Sequence, residues 1–127
     1  MQFDFENMYC GAIRRGDIFL LEGEKKEERA VLVLQENVLN DGLPSIVCAP
    51  IEPYRQHQDV FANEVLLPDG ETGLGRDGIC MLHRIFTADR HLMVSKKGEL
   101  KKERLQEVYR ALDITLGRFR DRDGIIS

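Results

Sequence analysis

The 127-residue sequence predicts a mainly β domain, a small barrel or strongly curved sheet that is followed by one C-terminal α-helix. Two patterns predict this class. Short apolar segments rich in β-branched residues are separated by turn signals about every 8–12 residues. Only the C-terminal part repeats apolar residues at steps of three and four, which is the spacing of a helix face. No internal repeat or linker is visible, so we expect a single domain over residues 1–127.

Six segments carry the strand pattern, and charged or glycine-containing turns separate them. The second segment is nearly continuous in apolarity and rich in β-branched residues. An Asn-Asp-Gly turn signal falls within residues 37–43, and a glycine-rich stretch covers residues 69–78. The strands are expected at residues 18–21, 29–35, 45–51, 59–67, 79–86 and 91–94, with the last one antiparallel.

One helix is predicted over residues 101–116, with Gly117 as its natural stop. Its apolar stripe is expected to cover the barrel. Residues 1–13 are expected to form an irregular arm, and residues 118–127 a charged tail. The stripe consists of Leu105, Val108, Leu112 and Leu116.

Composition excludes several classes of protein. With 43% hydrophobic and 31% charged residues, the chain is typical of a soluble globular domain. No apolar run reaches the roughly 18–20 residues of a membrane span. The acidic N-terminal residues lack the apolar part of a secretion signal, so a cytoplasmic location is expected. The cysteines show no zinc-ligand spacing, and Cys48 and Cys80 are expected to be buried, reduced thiols.

Charge is distributed unevenly along the chain. The net charge of −4, taken alone, argues against a nucleic-acid partner. Residues 1–75 carry 6 basic and 14 acidic side chains, whereas residues 76–127 carry 12 basic and 8 acidic ones. A negatively charged partner can therefore still meet a locally positive face. A mixed, solvated surface is the alternative.

Several familiar motifs occur out of context. Residues 73–78 match GxGxxG, but a strand pattern follows where a dinucleotide site needs a helix, so a hairpin loop is expected. The tripeptide at residues 15–17 spells Arg-Gly-Asp and is interpreted as a turn that opens a strand. The histidines show no metal-ligand spacing, and no GxSxG nucleophile motif is present. No metal and no other cofactor is expected.

Six segments follow one another in an order that is typical of one protein family. They are RGDIF at residues 15–19, ERAVLVLQEN at 28–37, SIVCAPI at 45–51, VLLP…GLGRDGICML at 65–82, RIFTADRHL at 84–92, and a Gly-Glu-Leu start with a Leu-Gly end at 98–117. Each segment alone is weak evidence for a family, but the six occur in the family's order and spacing and together cover most of the chain. The sequence resembles the MazF/PemK/Kid family, the toxin components of bacterial toxin–antitoxin pairs.

This resemblance implies an SH3-like barrel of the CcdB/MazF type with a C-terminal helix, usually as a homodimer. Members of the family cleave single-stranded RNA at short sequences without a metal, and a cognate antitoxin protein inhibits them. The expected partners are therefore single-stranded RNA, an antitoxin and a second copy of the chain. No membrane is expected to take part.

Such a cleavage determines which residue types are needed, because the RNA 2′-OH attacks its neighbouring phosphate without a protein nucleophile. The enzyme must supply a base for that hydroxyl, an acid for the departing 5′-oxygen, and positive charge for the phosphorane oxygens. Arg29 matches the family's catalytic arginine and is expected to bind the phosphate with its planar guanidinium, and also to serve as a candidate acid. The alternative is a surface arginine paired with Glu27 or Glu28.

Three further positions are candidate catalytic residues by the same resemblance. Glu52 stands where the family usually has Ser or Thr, so it either serves as the base or marks altered activity. His83 and Arg84 lie where many members carry an acidic residue and a glutamine. His83 is a candidate acid or base near neutral pH, and Arg84 a candidate phosphate ligand. A solvent-facing strand histidine is the alternative.

The candidate RNA-binding residues are Arg55 and Arg76, which lie in loops, and Phe86, which replaces a common family arginine. Phe86 is expected either to stack on a base or to belong to the core. Because Glu52 is unexpected in an active member, a second function stays open. It is a non-cleaving module of the same fold that binds a protein partner or RNA as a regulator. A barrel unrelated to RNA is the third interpretation.

Overall fold

A seven-stranded antiparallel sheet dominates the computed structural model, which describes residues 8–118 and residue 120. Within these residues, seven strands and three α-helices follow from the apolar segments of the sequence. The strands are β1 (Asp17–Glu22), β2 (Glu28–Val33), β3 (Ser45–Pro53), β4 (Glu64–Leu67), β5 (Gly78–Met81), β6 (Phe86–Asp89) and β7 (Met93–Glu99). The helices are α1 (Asn37–Gly42), α2 (Asp69–Thr72) and α3 (Lys102–Leu116). The predicted class, mainly β with a C-terminal helix, is confirmed.

The strand order is β4-β5-β3-β2-β1-β7, and β6 pairs with the remaining part of β3. The nine residues of β3 therefore pair with three other strands, β2, β5 and β6. One end of β3 pairs with β5, where Ile51 lies opposite Cys80, and the other end pairs with β6, where Cys48 lies opposite Phe86. A 3-10 turn at Leu82–Arg84 carries the chain between the two. The prediction of one continuous strand over residues 79–86 is therefore wrong.

Each face of the sheet has its own hydrophobic core. On one face, α3 covers the sheet with Val108 and Ala111, and Leu105 and Leu112 pack beside them. Leu116 is 56% exposed, so the predicted stripe is wrong at its last position, because α3 extends beyond the core. No helix in the described part of the chain has the length and apolarity of a membrane span. The core on the other face consists of Ile13, Phe19, Leu21, Val31, Val33, Ile46, Cys48, Ala88 and Met93, with Tyr9, Phe86 and Leu92 at its edge.

The described part of the N-terminal arm is irregular but packed. Ile13 is fully buried, and the ring of Tyr9 meets that of Phe19 edge-on with 4.9 Å between centroids. The Tyr9 amide also donates a hydrogen bond to the Met93 carbonyl. The remainder of the predicted arm and tail, residues 1–7, 119 and 121–127, lies outside the described residues.

The turn predicted over residues 37–43 is wrong, because α1 occupies it. A buried amide pair explains the helix. The Asn40 side chain donates to the Gln35 carbonyl at 2.8 Å, and the Gln35 side chain donates back to Asn40 Oδ1 at 3.0 Å. Both residues are buried, so these bonds hold the short helix against the end of β2 more firmly than local propensity would.

Two strand boundaries also differ from prediction. Residues 59–61 have no regular structure and residues 62–63 form a turn, which Phe61 and Glu64 close by hydrogen bonds through the Glu64 side chain and backbone. Only the rest of the predicted segment is β4. The segment predicted at residues 91–94 begins in a 3-10 turn, Arg90–Leu92. The strand starts at Met93, runs to Glu99 and pairs antiparallel with β1. The glycine-rich stretch does connect paired strands, β4 and β5, but contains α2.

A buried carboxylate anchors the start of β1. Asp17 is 2% exposed, accepts a hydrogen bond from the Arg14 amide at 2.8 Å, and lies 3.3 Å from the ammonium of Lys96 on β7. Burial raises the pKa of the Asp17 carboxyl, and the Arg14 amide and Lys96 offset this only in part. Lys96 is also bound by the exposed Glu99 at 2.6 Å.

Replacement of Lys96 by Met is expected to lower the free energy of unfolding by about 2 kcal/mol at pH 7, because it leaves the Asp17 charge buried and unpaired. The raised pKa means that folded Asp17 holds its proton to higher pH than the unfolded chain does. The protonated Asp17 side chain therefore makes its full contribution to the free energy of unfolding below about pH 3.9, the pKa of the unfolded chain. That contribution is lost as the pH rises through the pKa of the folded state. The loss in Lys96→Met should accordingly shrink as the pH falls toward 3.5.

Urea unfolding at several pH values measures this effect, with Glu99→Gln as the matched control. Because that partner is exposed and screened by solvent, its loss should change stability much less than Lys96→Met does. A loss in Lys96→Met that is independent of pH would contradict the assignment of the effect to Asp17.

Candidate active site

A cleft of about 340 Å³ opens where β2 and β3 meet the loop that follows α2. It brings together three of the residues proposed from the sequence, Arg29, Glu52 and Arg76. It also contains Lys97, which no motif in the sequence marks. The full lining is Leu20, Glu28, Arg29, Ala30, Pro50, Ile51, Glu52, Pro53, Gly73, Leu74, Arg76, Asp77, Gly78 and Lys97.

The register of β2 and β3 places Arg29 near Glu52. Ala30 pairs with Ile51, so Arg29 and Glu52 are the next residues along the two antiparallel strands. Side chains at opposed positions of antiparallel strands share one face, with Cβ atoms about 5 Å apart. Two residues that are distant in sequence thus become neighbours at the cleft.

Arg29 is exposed, and its guanidinium carbon lies 5.3 Å from the centroid of the Phe86 ring. Among the residues that the structure describes, no carboxylate forms an ion pair with it. Arg29 is thus a surface arginine, as the alternative expects, but the pairing with Glu27 or Glu28 is absent from the described residues. The N–H donors of Arg29 remain available to an anion.

Carboxylates organise the loop that forms the other wall of the cleft. Asp69 Oδ1 accepts from the Gly75 amide at 2.6 Å, and Asp77 Oδ1 accepts from the Asp69 amide at 2.9 Å. The Asp77 carbonyl accepts from the Tyr54 amide, which ties the loop to the end of β3. These bonds position Arg76 at the cleft.

Gly73 gives the same wall its shape. It ends α2 with φ +70°, and a Cβ at this position would collide with the Lys97 carbonyl oxygen. Only glycine allows this backbone to adopt a left-handed conformation and approach β7 so closely. Lys97 consequently lies on the cleft beside the loop.

The cleft is balanced in charge. Three cations (Arg29, Arg76 and Lys97) and three carboxylates (Glu28, Glu52 and Asp77) line it. Asp77 is engaged by a backbone hydrogen bond within the loop. Glu52 is the lining carboxylate that adjoins Arg29 on the neighbouring strand. A site with this composition can bind one phosphate and still present a carboxylate to a nearby hydroxyl.

His83 and Arg84 lie outside the lining of this cleft, in the 3-10 turn before β6. His83 is exposed, but it is not on a strand, so that part of the alternative is wrong. Its Nδ1 lies 2.7 Å from the amide nitrogen of Asn63. Arg84 donates a weak hydrogen bond to the Met81 sulfur at 3.9 Å.

The remaining candidates, Arg55 and Phe86, also lie outside the cleft lining. Arg55 follows β3, and its backbone amide donates to the Gln58 side chain at 3.0 Å. Phe86 begins β6, is half-buried, and packs against the core on its face of the sheet while Arg29 covers its ring.

Lys97 and Asn63 are the site residues that the sequence did not reveal. The pairing of β1 with β7 shifts register between Ile18 and Phe19, so alternation along β7 does not show which lysine faces the cleft. Asn63 lies in a segment whose pattern predicts a strand, and nothing in its sequence context marks a partner twenty residues away.

Other reactive groups do not contribute to the cleft. Burial raises the pKa of both Cys48 and Cys80 to about 12. Both thiols therefore stay protonated near neutral pH, and neither can act as a thiolate nucleophile. Both were expected to be buried, and this is confirmed. Among residues 8–118 and 120, no three His, Cys, Asp or Glu side chains are grouped closely enough to hold a metal ion.

Comparison with known proteins is consistent with the fold. Residues 14–116 match a family described as PemK-like, MazF-like toxin of type II toxin–antitoxin system. The match covers most of the chain, and the protein therefore belongs to this family.

Individual relatives are distant. An endoribonuclease MazF of Staphylococcus saprophyticus is 27% identical over 111 residues, which are 83% of this chain and 92% of that protein. An endoribonuclease from a mycobacterial species, solved in complex with its cognate antitoxin, has a TM-score of 0.72 and 17% identity over 84% of this chain and 96% of its own. A MazE–MazF structure from Deinococcus radiodurans has a TM-score of 0.67 and 22% identity over 84% and 98%.

The Asn63 contact predicts the tautomer of His83. An amide nitrogen can only donate, so His83 Nδ1 must accept, and the neutral ring should carry its proton on Nε2. Long-range ¹H–¹⁵N correlation spectra distinguish the two ring nitrogens. Asn63→Ala should shift His83 toward a mixture of tautomers and leave His57 unchanged. A wild-type ring protonated on Nδ1 would contradict this contact.

Proposed function

We propose that this protein is the toxin component of a type II toxin–antitoxin system and acts as a metal-independent endoribonuclease on single-stranded RNA. The observation that carries the proposal is the placement of Arg29 and Glu52 side by side at one cleft, without an ion pair between them. Membership of the toxin family and the distant similarity to a protein named endoribonuclease MazF support the same activity.

In the proposed reaction, the RNA 2′-OH attacks the adjacent phosphorus and forms a 2′,3′-cyclic phosphate while the 5′-oxygen departs. Glu52 accepts the hydroxyl proton as general base. Arg29 binds the phosphorane oxygens, whose negative charge grows in the transition state. The substrate supplies the nucleophile, so the reaction requires no metal-bound water.

Other residues assist according to their positions. Arg76 and Lys97, on the opposite wall, neutralise flanking phosphates and offset the repulsion between Glu52 and the RNA backbone. The acid that protonates the 5′-oxygen is Arg29 or His83. His83 lies outside the cleft lining, so it reaches the leaving group only if the RNA extends along the Leu82–Arg84 turn. Arg84 and Arg55 would then contact the flanking nucleotides.

The proposed protein partners are a cognate antitoxin and a second copy of the chain. The antitoxin complex of the mycobacterial relative supports the first. Exposed apolar residues beside a groove along α3 support the second. These residues are Val60, Phe61, Ile114 and Leu116. A toxin that cleaves cellular RNA would act in the cytoplasm.

A non-cleaving RNA- or protein-binding module is the second candidate function. The observation that favours it is the equal number of carboxylates and cations at the cleft, because Glu28 and Glu52 weaken the attraction for a polyanion. In this case the protein would bind its partner and leave RNA intact.

The purified protein should cleave unstructured RNA in the presence of EDTA and leave 2′,3′-cyclic phosphate ends. Arg29→Ala should lower the single-turnover rate at least about 100-fold, because it removes the charge that stabilises the phosphorane. The matched control is Arg118→Ala, which removes an exposed arginine of the C-terminal segment that is paired with Asp113. Substrates with a 2′-deoxy nucleotide at the cleavage position should stay intact.

The alternatives give different results in the same assay. Intact RNA across a broad panel of oligonucleotides, with binding retained, would identify the non-cleaving module. Equal loss in Arg29→Ala and Arg118→Ala would contradict the assignment of Arg29. Cleavage that EDTA abolishes would contradict the metal-independent reaction.

A further inference from the structure

The contact between Arg29 and Phe86 joins a surface side chain to one that is anchored in the core. The guanidinium carbon lies 5.3 Å from the ring centroid, within the range of a cation–π interaction. Arg29 is exposed, whereas Phe86 is half-buried. Only one of the two partners is therefore free to move, and the other can define its position.

Strand pairing and packing both restrain the Phe86 ring. Phe86 lies opposite Cys48 in the β3–β6 ladder, and Cys48 in turn lies opposite Val33 in the β2–β3 ladder. Cys48 and Val33 are fully buried, and the ring packs against the core that they belong to. Directly paired residues share a face of the sheet, so the ring stands on the same face as these two side chains.

The contact with the ring takes up no carboxylate-type acceptor, so the N–H donors of Arg29 are not committed to an ion pair. A guanidinium carries five such donors in the plane of the group. An ion pair with a carboxylate would also hold the arginine, but it would occupy those donors. No such pair is formed among the described residues.

We propose that Phe86 is a positioning residue, which holds the Arg29 guanidinium over its ring, beside the cleft that Arg29 lines, and so limits the positions from which its N–H groups reach the substrate phosphate. This inference rests on the function proposed above and adds a role for Phe86 that differs from base stacking. A long arginine side chain has many conformations in solution, and binding a phosphate restricts them. The ring restricts them before RNA arrives, so less conformational entropy is lost in the complex.

Three variants separate this role from a structural one. Phe86→Leu keeps an apolar side chain of similar size but removes the ring, and it should lower the single-turnover cleavage rate about 3- to 10-fold. Phe86→Tyr retains the ring and should cleave within about 2-fold of the wild type. In an Arg29→Ala background, Phe86→Leu should cause less than about a 2-fold further loss, since Phe86 acts through Arg29. Thermal unfolding of each variant checks that the fold is retained.

Base stacking would give a different pattern. If Phe86 stacked on RNA, Phe86→Leu would weaken the binding of a 2′-deoxy-substituted, uncleavable oligonucleotide equally with and without Arg29. That result would overturn the proposal. An undiminished cleavage rate in a folded Phe86→Leu variant would overturn it as well.

A measurement without RNA separates this inference from the enzymatic proposal. The Arg29 Nε–H proton should resonate upfield in the folded wild-type protein, because the guanidinium carbon to which Nε is bonded lies over the ring, and Phe86→Leu should abolish that shift while Phe86→Tyr preserves it. If this holds and RNA remains intact, the positioning contact stands and the proposed cleavage fails. If the wild-type Nε–H shows no ring-current shift, the positioning role is wrong whatever the activity, and this result remains available even if Phe86→Leu does not fold.

Discussion

Backbone hydrogen bonds between β2 and β3 hold Ala30 opposite Ile51, and the candidate site depends on that register. A slip of one residue would turn every side chain of β2 to the other face of the sheet. Arg29 would then leave both Glu52 and Phe86. β3 also pairs with β5 and β6, and each face of the sheet is covered by its own core. A change of register would therefore break hydrogen bonds to other strands and expose apolar side chains of both cores.

The acidic composition of the chain is compatible with RNA as a substrate because charge acts locally at a cleft. The net charge is −4, yet Arg29, Arg76 and Lys97 converge from two strands and a loop on the same cleft. Debye screening limits the influence of distant carboxylates to roughly 8–10 Å at physiological salt. The carboxylate that remains decisive is Glu52, which the proposed reaction uses as its base. The proposed contact with Phe86 would hold Arg29 without an ion pair that competes with phosphate for its donors.

The sequence predicts those parts of the molecule that depend on local pattern. The apolar segments of β1, β2 and β3 and the amphipathic α3 with Gly117 at its end are recognisable because burial and helix capping leave a periodic signal. Arg29 and Glu52 are not given by that pattern; they follow from the resemblance to the MazF/PemK/Kid family, whose motifs they match in position. By contrast, α1 depends on the buried contact between Gln35 and Asn40, and the position of Lys97 depends on an irregular register. These features arise from tertiary contacts, which a linear pattern does not encode.

A double-mutant cycle on the single-turnover rate of RNA cleavage tests the central claim, that Arg29 and Glu52 act on the same phosphate. The four proteins are the wild type, Arg29→Ala, Glu52→Gln and the double variant, all with verified folds. We predict that each single variant loses at least about 100-fold and that the double variant loses far less than the product of the two losses, because residues that act as a unit are not additive. Losses that multiply, or a Glu52→Gln variant that cleaves at the wild-type rate, would contradict the account.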